Sequence, residues 1–126
     1  MRTRRGRRAE RGSATLETVI VFPVVIGILW LALQVALTQY CRTVALAAAE
    51  SGARAAALET NTTSDCYQAA EAILAANGDA LASTSVLCVR GATTTTAIVS
   101  GTPLTVGPWT VPSVSGTAQM PVERIT

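Results

Sequence analysis

One stretch of this chain decides its fold: GSATLETVIVFPVVIGILWLALQVAL, residues 12–37. Between Thr18 and Leu37 the only clearly polar interruption is Gln34. About 20 residues at roughly 1.5 Å of helical rise each cover about 30 Å, the thickness of a bilayer's hydrocarbon core. The apolar core of a secretory signal is shorter, about 7–15 residues. We therefore predict a transmembrane helix over about residues 18–37.

A short basic segment precedes the span, and we expect it to be unstructured. Residues 1–12 hold six of the chain's ten basic residues, all of them arginines, and one acid, Glu10. Positive residues favour the cytoplasmic side, which predicts a single-pass protein with a cytoplasmic N-terminus and an extracytoplasmic C-terminal domain. Without this segment, four arginines and seven acids remain. A basic tail that binds nucleic acid is the alternative, but it would not normally abut a membrane span, so we predict no nucleic-acid partner.

Two residues near the start of the span are unusual there. Glu17 is costly in hydrocarbon, by about 2.5–3.5 kcal/mol at mid-span and less at the edge. Taken alone, it is explained as a first-turn acid that complements the helix dipole. Pro23 removes a helical hydrogen bond and predicts a kink, either as a tolerated transmembrane proline or as a hinge.

The basic segment, Gly12, Ser13 and Glu17 together resemble a type IV prepilin leader. The resemblance implies that a membrane prepilin peptidase cuts between Gly12 and Ser13, which places Glu17 at the fifth mature position. The cut would create a cationic α-amine on Ser13. A neighbouring subunit's amine could then pair with Glu17 and set the axial step between adjacent helices. Ser13 replaces the aromatic residue often found first in mature pilins, which leaves N-methylation open.

The helical pattern continues beyond the span. Residues 38–58 contain no proline and are rich in alanine, which predicts a helix to about Glu59. Small residues recur four apart in two rows: Ala45, Ala49, Ala53, Ala57 and Ala48, Gly52, Ala56. The rows either let another element approach the backbone closely or reflect plain alanine bias.

Three pieces narrow the family: residues 11–17, residues 21–24 and residues 48–57. Together they resemble TadE-like proteins, minor pilins or pseudopilins of the tight-adherence (Flp) branch of type IV pilus systems. The most specific piece is Glu50, Gly52, Ala53 and Arg54, in which the acid and the arginine also form an i, i+4 pair. The resemblance implies a protein of the cell membrane or of a surface pilus that acts in pilus assembly for adhesion or secretion. Its partners would be the lipid bilayer, the prepilin peptidase, other pilin subunits and the tight-adherence machinery.

Residues 61–126 predict a small extracytoplasmic α+β domain after a long helix over residues 13–60. A second, short helix is expected from Asp65 to about Ala76, capped by Ser64. Strands are expected at residues 85–90 and 95–100, with weaker candidates at 104–106 and 109–111 and an edge strand at 118–125. The fold class is α+β, with a small antiparallel sheet. We expect Trp109 to cover a thin core rather than to be an exposed contact residue.

The three cysteines are an odd set in an oxidising compartment. A Cys66–Cys88 disulfide would link the second helix to the sheet and stabilise the domain by about 3 kcal/mol. Cys41, just past the span, is expected to face lipid or a partner and to be free, acylated or bridged between subunits. With no His in the chain and no base beside its hydroxyls, we predict no metal, no cofactor and no enzymatic activity.

Two other kinds of protein fit the same features. The first is a single-pass anchored surface protein whose distal domain binds a ligand and which is neither cleaved nor polymerised. The second is a secreted protein cut by signal peptidase after residues 47–49, which the length of the span disfavours.

Overall fold

The computed structural model describes residues 6–124. Its elements are α1 (Gly6–Ala57), α2 (Thr63–Ala76), a 3₁₀ turn (Gly78–Ala80), β1 (Leu81–Arg90), β2 (Thr94–Pro103) and β3 (Val114–Pro121). The three strands form one antiparallel sheet in the order β1-β2-β3. The predicted α+β class, with a long apolar helix, a short helix and a small antiparallel sheet, is confirmed.

The chain divides into two units, residues 1–34 and Val35–Thr126. The first consists, where it is described, of the N-terminal part of α1. Its large apolar side chains are exposed almost without exception, and the segment Gly12–Ala57 is long and apolar enough to cross a membrane by length and composition. Exposed Val, Ile and Leu side chains are unfavourable in water, but a surface that faces lipid consists of such side chains.

The basic segment differs from expectation. Met1 to Arg5 lie outside the described residues, but from Gly6 onward the segment is helical and continuous with α1. The prediction of an unstructured leader is therefore wrong for residues 6–12. The reason is local: Arg, Ala and Glu are good helix formers, and the apolar helix that follows supplies the nucleus from which a helix propagates.

The second unit is a small domain built on the C-terminal part of α1. Its core is made of small side chains from α1, α2 and all three strands. The buried residues on this part of α1 are Cys41, Val44, Ala45, Ala48, Ala49, Gly52, Ala53, Ala56 and Ala57. Both rows of small residues are therefore buried, which favours close approach over alanine bias.

The backbones of α1 and β3 approach each other closely at Gly116. A Cβ added at Gly116 would come within 2.5 Å of the Leu46 backbone nitrogen and 2.6 Å of the Ala45 carbonyl carbon. The strand therefore lies directly on the helix backbone. A core of small side chains buries little apolar area per residue. The domain is therefore held together by close packing of backbone against backbone more than by large buried side chains.

Helix α2 begins two residues before the predicted start. Thr62, not Ser64, is its N-cap, and the Thr62 backbone N–H donates to the Asp65 carboxylate at 2.7 Å. Its buried side chains are Cys66 and Ala70. Ile73, two turns beyond Cys66, is partly buried and packs against the same core.

The strands are longer and partly shifted relative to the predicted segments. β1 gains Leu81–Thr84 through an irregularity near Ser83, whose φ is 51°. The weak candidates at residues 104–106 and 109–111 are not strands but parts of the loop between β2 and β3. The last strand lies at the edge as predicted, but it begins at Val114 and ends at Pro121, where proline ends the pairing.

Candidate assembly site

The predicted cleavage point lies within α1. Gly12 and Ser13 are exposed, and a Cβ added at Gly12 would meet no atom within 4 Å. The peptide bond between them is therefore sterically open, but it is held in helical conformation. Glycine weakens a helix by about 1 kcal/mol relative to alanine, so α1 unwinds more easily here than it would with alanine at this position.

Glu17 lies one turn further along the same helix and is exposed. Its neighbours on that face are apolar or satisfied within the helix. The Thr18 hydroxyl donates to the carbonyl of Ala14 at 2.9 Å, which leaves the Glu17 carboxylate as the charged group of a shallow groove. The groove is lined by Ala14, Glu17, Thr18, Val21, Phe22 and Val25. Hydrocarbon around an exposed carboxylate would raise the free energy of the charged group, and a cation beside it would offset this cost.

Pro23 lies inside α1, and the helix continues through it to Ala57. Proline has no N–H to donate to the carbonyl four residues earlier, that of Val19. The missing hydrogen bond makes this position the weakest point of the span, and the kink stays a prediction.

The four residues of the family motif differ in how far they are exposed. Gly52 and Ala53 are buried, Glu50 is half-buried and Arg54 is exposed. A Cβ at Gly52 would lie 3.0 Å from the Cys66 carbonyl oxygen, 3.1 Å from the Cys66 sulfur and 3.4 Å from the Ala70 Cβ. Gly52 is therefore a position at which α2 packs on α1, in agreement with the close approach that the rows of small residues allow; the sequence did not show which element approaches there.

The charged members of the motif make a different contribution. The i, i+4 attraction between Glu50 and Arg54 stays a prediction from their spacing. Arg54 lies in the last turn of α1, where a cation favourably faces the negative end of the helix dipole.

The cysteines resolve into one pair and one free thiol. Cys66 on α2 and Cys88 on β1 form the disulfide, with 6.3 Å between their Cα atoms. The bridge lies against Gly52, so the disulfide and the family motif form one structural unit. The Tyr67 hydroxyl accepts a hydrogen bond from the Cys88 backbone N–H at 3.4 Å.

Cys41 is free, but it does not face lipid or a partner as expected. It is 2% exposed, and its sulfur donates to the carbonyl oxygen of Ala80 at 3.0 Å. Burial raises the pKa of the Cys41 thiol, and a backbone hydrogen bond from Leu104 opposes this shift. The thiol is a core group, and acylation or bridging at Cys41 would require the domain to open.

No group of three or more metal-binding side chains occurs among the residues that the structure describes. The TadE-like protein family matches residues 12–54 of the chain, which include Gly12, Glu17, Pro23 and the whole Glu50–Arg54 motif. No curated protein and no solved structure matches the chain. The family match confirms the resemblance drawn from the sequence. Residues 12–54 are thus similar to TadE-like proteins, and the long apolar helix that they form fits a membrane-anchored protein of the tight-adherence pilus.

Proposed function

We propose that this chain is a minor pilin or pseudopilin of a tight-adherence pilus, anchored by a single span with its N-terminus in the cytoplasm. A prepilin peptidase cuts it between Gly12 and Ser13, and the mature subunit enters the assembly machinery through its exposed N-terminal helix. The domain that follows the span remains on the extracytoplasmic side.

One observation carries the proposal: the exposed Glu17 carboxylate on a helix surface that is otherwise apolar. Cleavage would place the new Ser13 amine four residues from it, about 6 Å along the helix. Within one helix these groups lie a turn apart. Between two parallel helices, a shift of the same 6 Å brings the amine of one subunit level with the Glu17 carboxylate of the next. The pair would then neutralise both charges in lipid and fix the register of assembly.

The leader opposes assembly until it is removed. Each arginine near an anionic membrane surface contributes about 1 kcal/mol of attraction, so six of them hold the precursor at the inner surface of the membrane. Removal of the leader releases this attraction and supplies the amine at the same step. Cleavage and assembly are therefore coupled through electrostatics.

The test has two parts. Mass spectrometry of the protein isolated from its native membrane is expected to find a mature chain that begins at Ser13. Glu17→Gln, which removes the charge but keeps the shape, is expected to leave cleavage intact and to reduce the amount of subunit in sheared pilus fractions.

Glu71→Gln is the matched control, because Glu71 is an exposed acid on α2, far along the chain from the span. An intact leader on the native protein would refute the proposal and favour an uncleaved surface anchor with a distal binding domain. Normal pilus incorporation of the Glu17→Gln protein would refute the role of the carboxylate alone.

A further inference from the structure

The loop Leu104–Ser113, which joins β2 to β3, is an uncharged surface with exposed apolar side chains. Leu104 is 51% exposed and Trp109 is 39% exposed. The expectation that Trp109 covers the core is wrong: its ring lies over Gly107, where an added Cβ would come within 2.5 Å of the ring carbons. The loop therefore holds a tryptophan at the surface instead of burying it.

Both ends of this loop lie at the beginning of the domain's part of α1. The backbone of Leu104 hydrogen-bonds the Cys41 sulfur. Val114, where β3 begins, is two residues before Gly116, which lies against the backbone of residues 45 and 46. Cys41 follows Leu37, the last residue of the proposed span, by only four residues, or about 6 Å of helical rise.

That distance corresponds to the depth of lipid headgroups. A bilayer is about 40–45 Å thick with its polar regions and about 30 Å without them, which leaves about 5–7 Å of headgroup layer on each side. Leu104, the first residue of the loop, is thus level with this layer where the helix leaves the hydrocarbon at Leu37. Tryptophan is enriched at this depth, because its ring is apolar and its indole N–H needs a polar partner.

We propose that the loop Leu104–Ser113 docks on the lipid headgroups of the leaflet from which α1 emerges, with Leu104 and Trp109 as its inserted side chains. The inference rests on the membrane anchor of the proposed function but not on cleavage or polymerisation. Docking would fix the domain's orientation on the membrane through a second contact, in addition to its helix.

The distribution of charge favours lipid over a protein partner. Two groups at the same level suit a headgroup layer: Tyr40 is 49% exposed, and Arg42 is exposed and able to reach a lipid phosphate. The other end of the domain, where α1 ends, is a charged cleft and contrasts with the uncharged loop. Its lining includes Glu59, Arg90, Glu123 and Arg124.

The experiment uses the full chain, reconstituted into phosphatidylcholine–phosphatidylglycerol vesicles, with one tryptophan at a time. The chain has two tryptophans, so Trp30→Phe leaves Trp109 as the reporter and Trp109→Phe leaves Trp30 in the span. A third protein carries both substitutions and Leu58→Trp, which places a tryptophan at an exposed position just beyond the end of α1. Fluorescence is measured with lipids brominated near the headgroup or near the middle of the acyl chain.

The Trp109 reporter is expected to emit at shorter wavelength than the residue-58 reporter, and to be quenched more by bromine near the headgroup than by mid-chain bromine. Trp30 is expected to be quenched most by mid-chain bromine, and the residue-58 reporter by neither lipid. If Trp109 behaves like the residue-58 reporter while Trp30 is quenched, the docking is refuted and the anchor stands. Blue-shifted Trp109 emission without lipid quenching also refutes it, in favour of a second protein copy. If Trp30 is not quenched, the anchor itself is wrong.

Discussion

The contact between α1 and β3 gives the sharpest test of the domain's packing. Gly116→Ala adds one methyl group, whose carbon would lie 2.5 Å from the Leu46 backbone nitrogen and 2.6 Å from the Leu46 Cα. Ordinary contact between such atoms is about 3.5–4.0 Å, so strand and helix must separate by about 1 Å. Neither backbone can rotate away as a side chain can. The expected cost is about 1–3 kcal/mol, as for other overpacked cores.

Whether Gly116→Ala lowers or raises the stability of the domain distinguishes this clash from the usual effect of replacing glycine by alanine. Gly116 has no positive φ, and at such a position Gly→Ala normally stabilises by about 0.4–1 kcal/mol through the unfolded chain. A net loss therefore requires the contact with α1. The full chain in mild detergent would be unfolded by heat and followed by circular dichroism.

A loss of about 2 kcal/mol is expected to lower the Tm of a domain of this size by about 8–16 °C. Ser115→Ala, at the neighbouring exposed position of β3, is the control and should change stability by no more than about 0.5 kcal/mol. A Gly116→Ala protein as stable as the wild type, or more stable, would refute the packing of β3 on the helix backbone.

Three further outcomes are expected. Replacing Cys66 and Cys88 together by serine should cost about 3 kcal/mol in urea unfolding, because the bridge closes a sequence separation of 22 residues; a double variant as stable as the oxidised wild type would contradict this. Because burial raises the pKa of the Cys41 thiol in the folded state, the folded chain keeps the proton longer than the unfolded chain, so stability should fall as pH rises above the ordinary value of 9.0. Unfolding across that pH range should show the fall in the wild type and not in Cys41→Ala; equal pH profiles would exclude it. Gly12→Ala should make local unwinding about 1 kcal/mol harder and slow leader release about fivefold in membranes that contain the peptidase, and unchanged kinetics would show that unwinding does not limit cleavage.

The sequence predicted those parts of the fold that depend on local pattern. Period and length indicated the long apolar helix, α2 and the strands β1 and β2, because each is set by propensity and by the alternation of apolar residues. The Cys66–Cys88 bridge followed from the odd set of three cysteines and the elements that carry two of them. The position of the last strand was missed because residues 113–118 hold small and polar side chains, and Gly116 is needed there for contact with α1 and not for strand formation.

The candidate site was predictable as a set of residues but not as a set of contacts. Gly12 and Glu17 are conspicuous because each conflicts with its surroundings: a glycine within a helix and a carboxylate at the edge of hydrocarbon. Gly52 is also a glycine within a helix, but the reason for it lies in Cys66 and Ala70 of α2, which no local pattern connects to it. Cys41 was misplaced for a similar cause, because its cover comes from Ala80 and Leu104, which no local pattern connects to it.

Along α1 the environment changes from an exposed apolar surface to a buried core, and this change is marked by the size of the side chains and not by their polarity. Alanine and leucine both count as apolar, so the stretch Gly12–Ala57 reads as one candidate span by length and composition. In its first half the apolar residues are mostly Val, Ile and Leu and are exposed, as a lipid-facing surface allows. From Ala45 onward they are mostly alanine and are buried against strands and α2, where larger side chains would hold the backbones apart. The large apolar residues of α1 suit contact with lipid, and its small residues suit packing against the rest of the domain. The loop at residues 104–113 lies close to the point on α1 where the large residues end and the small ones begin.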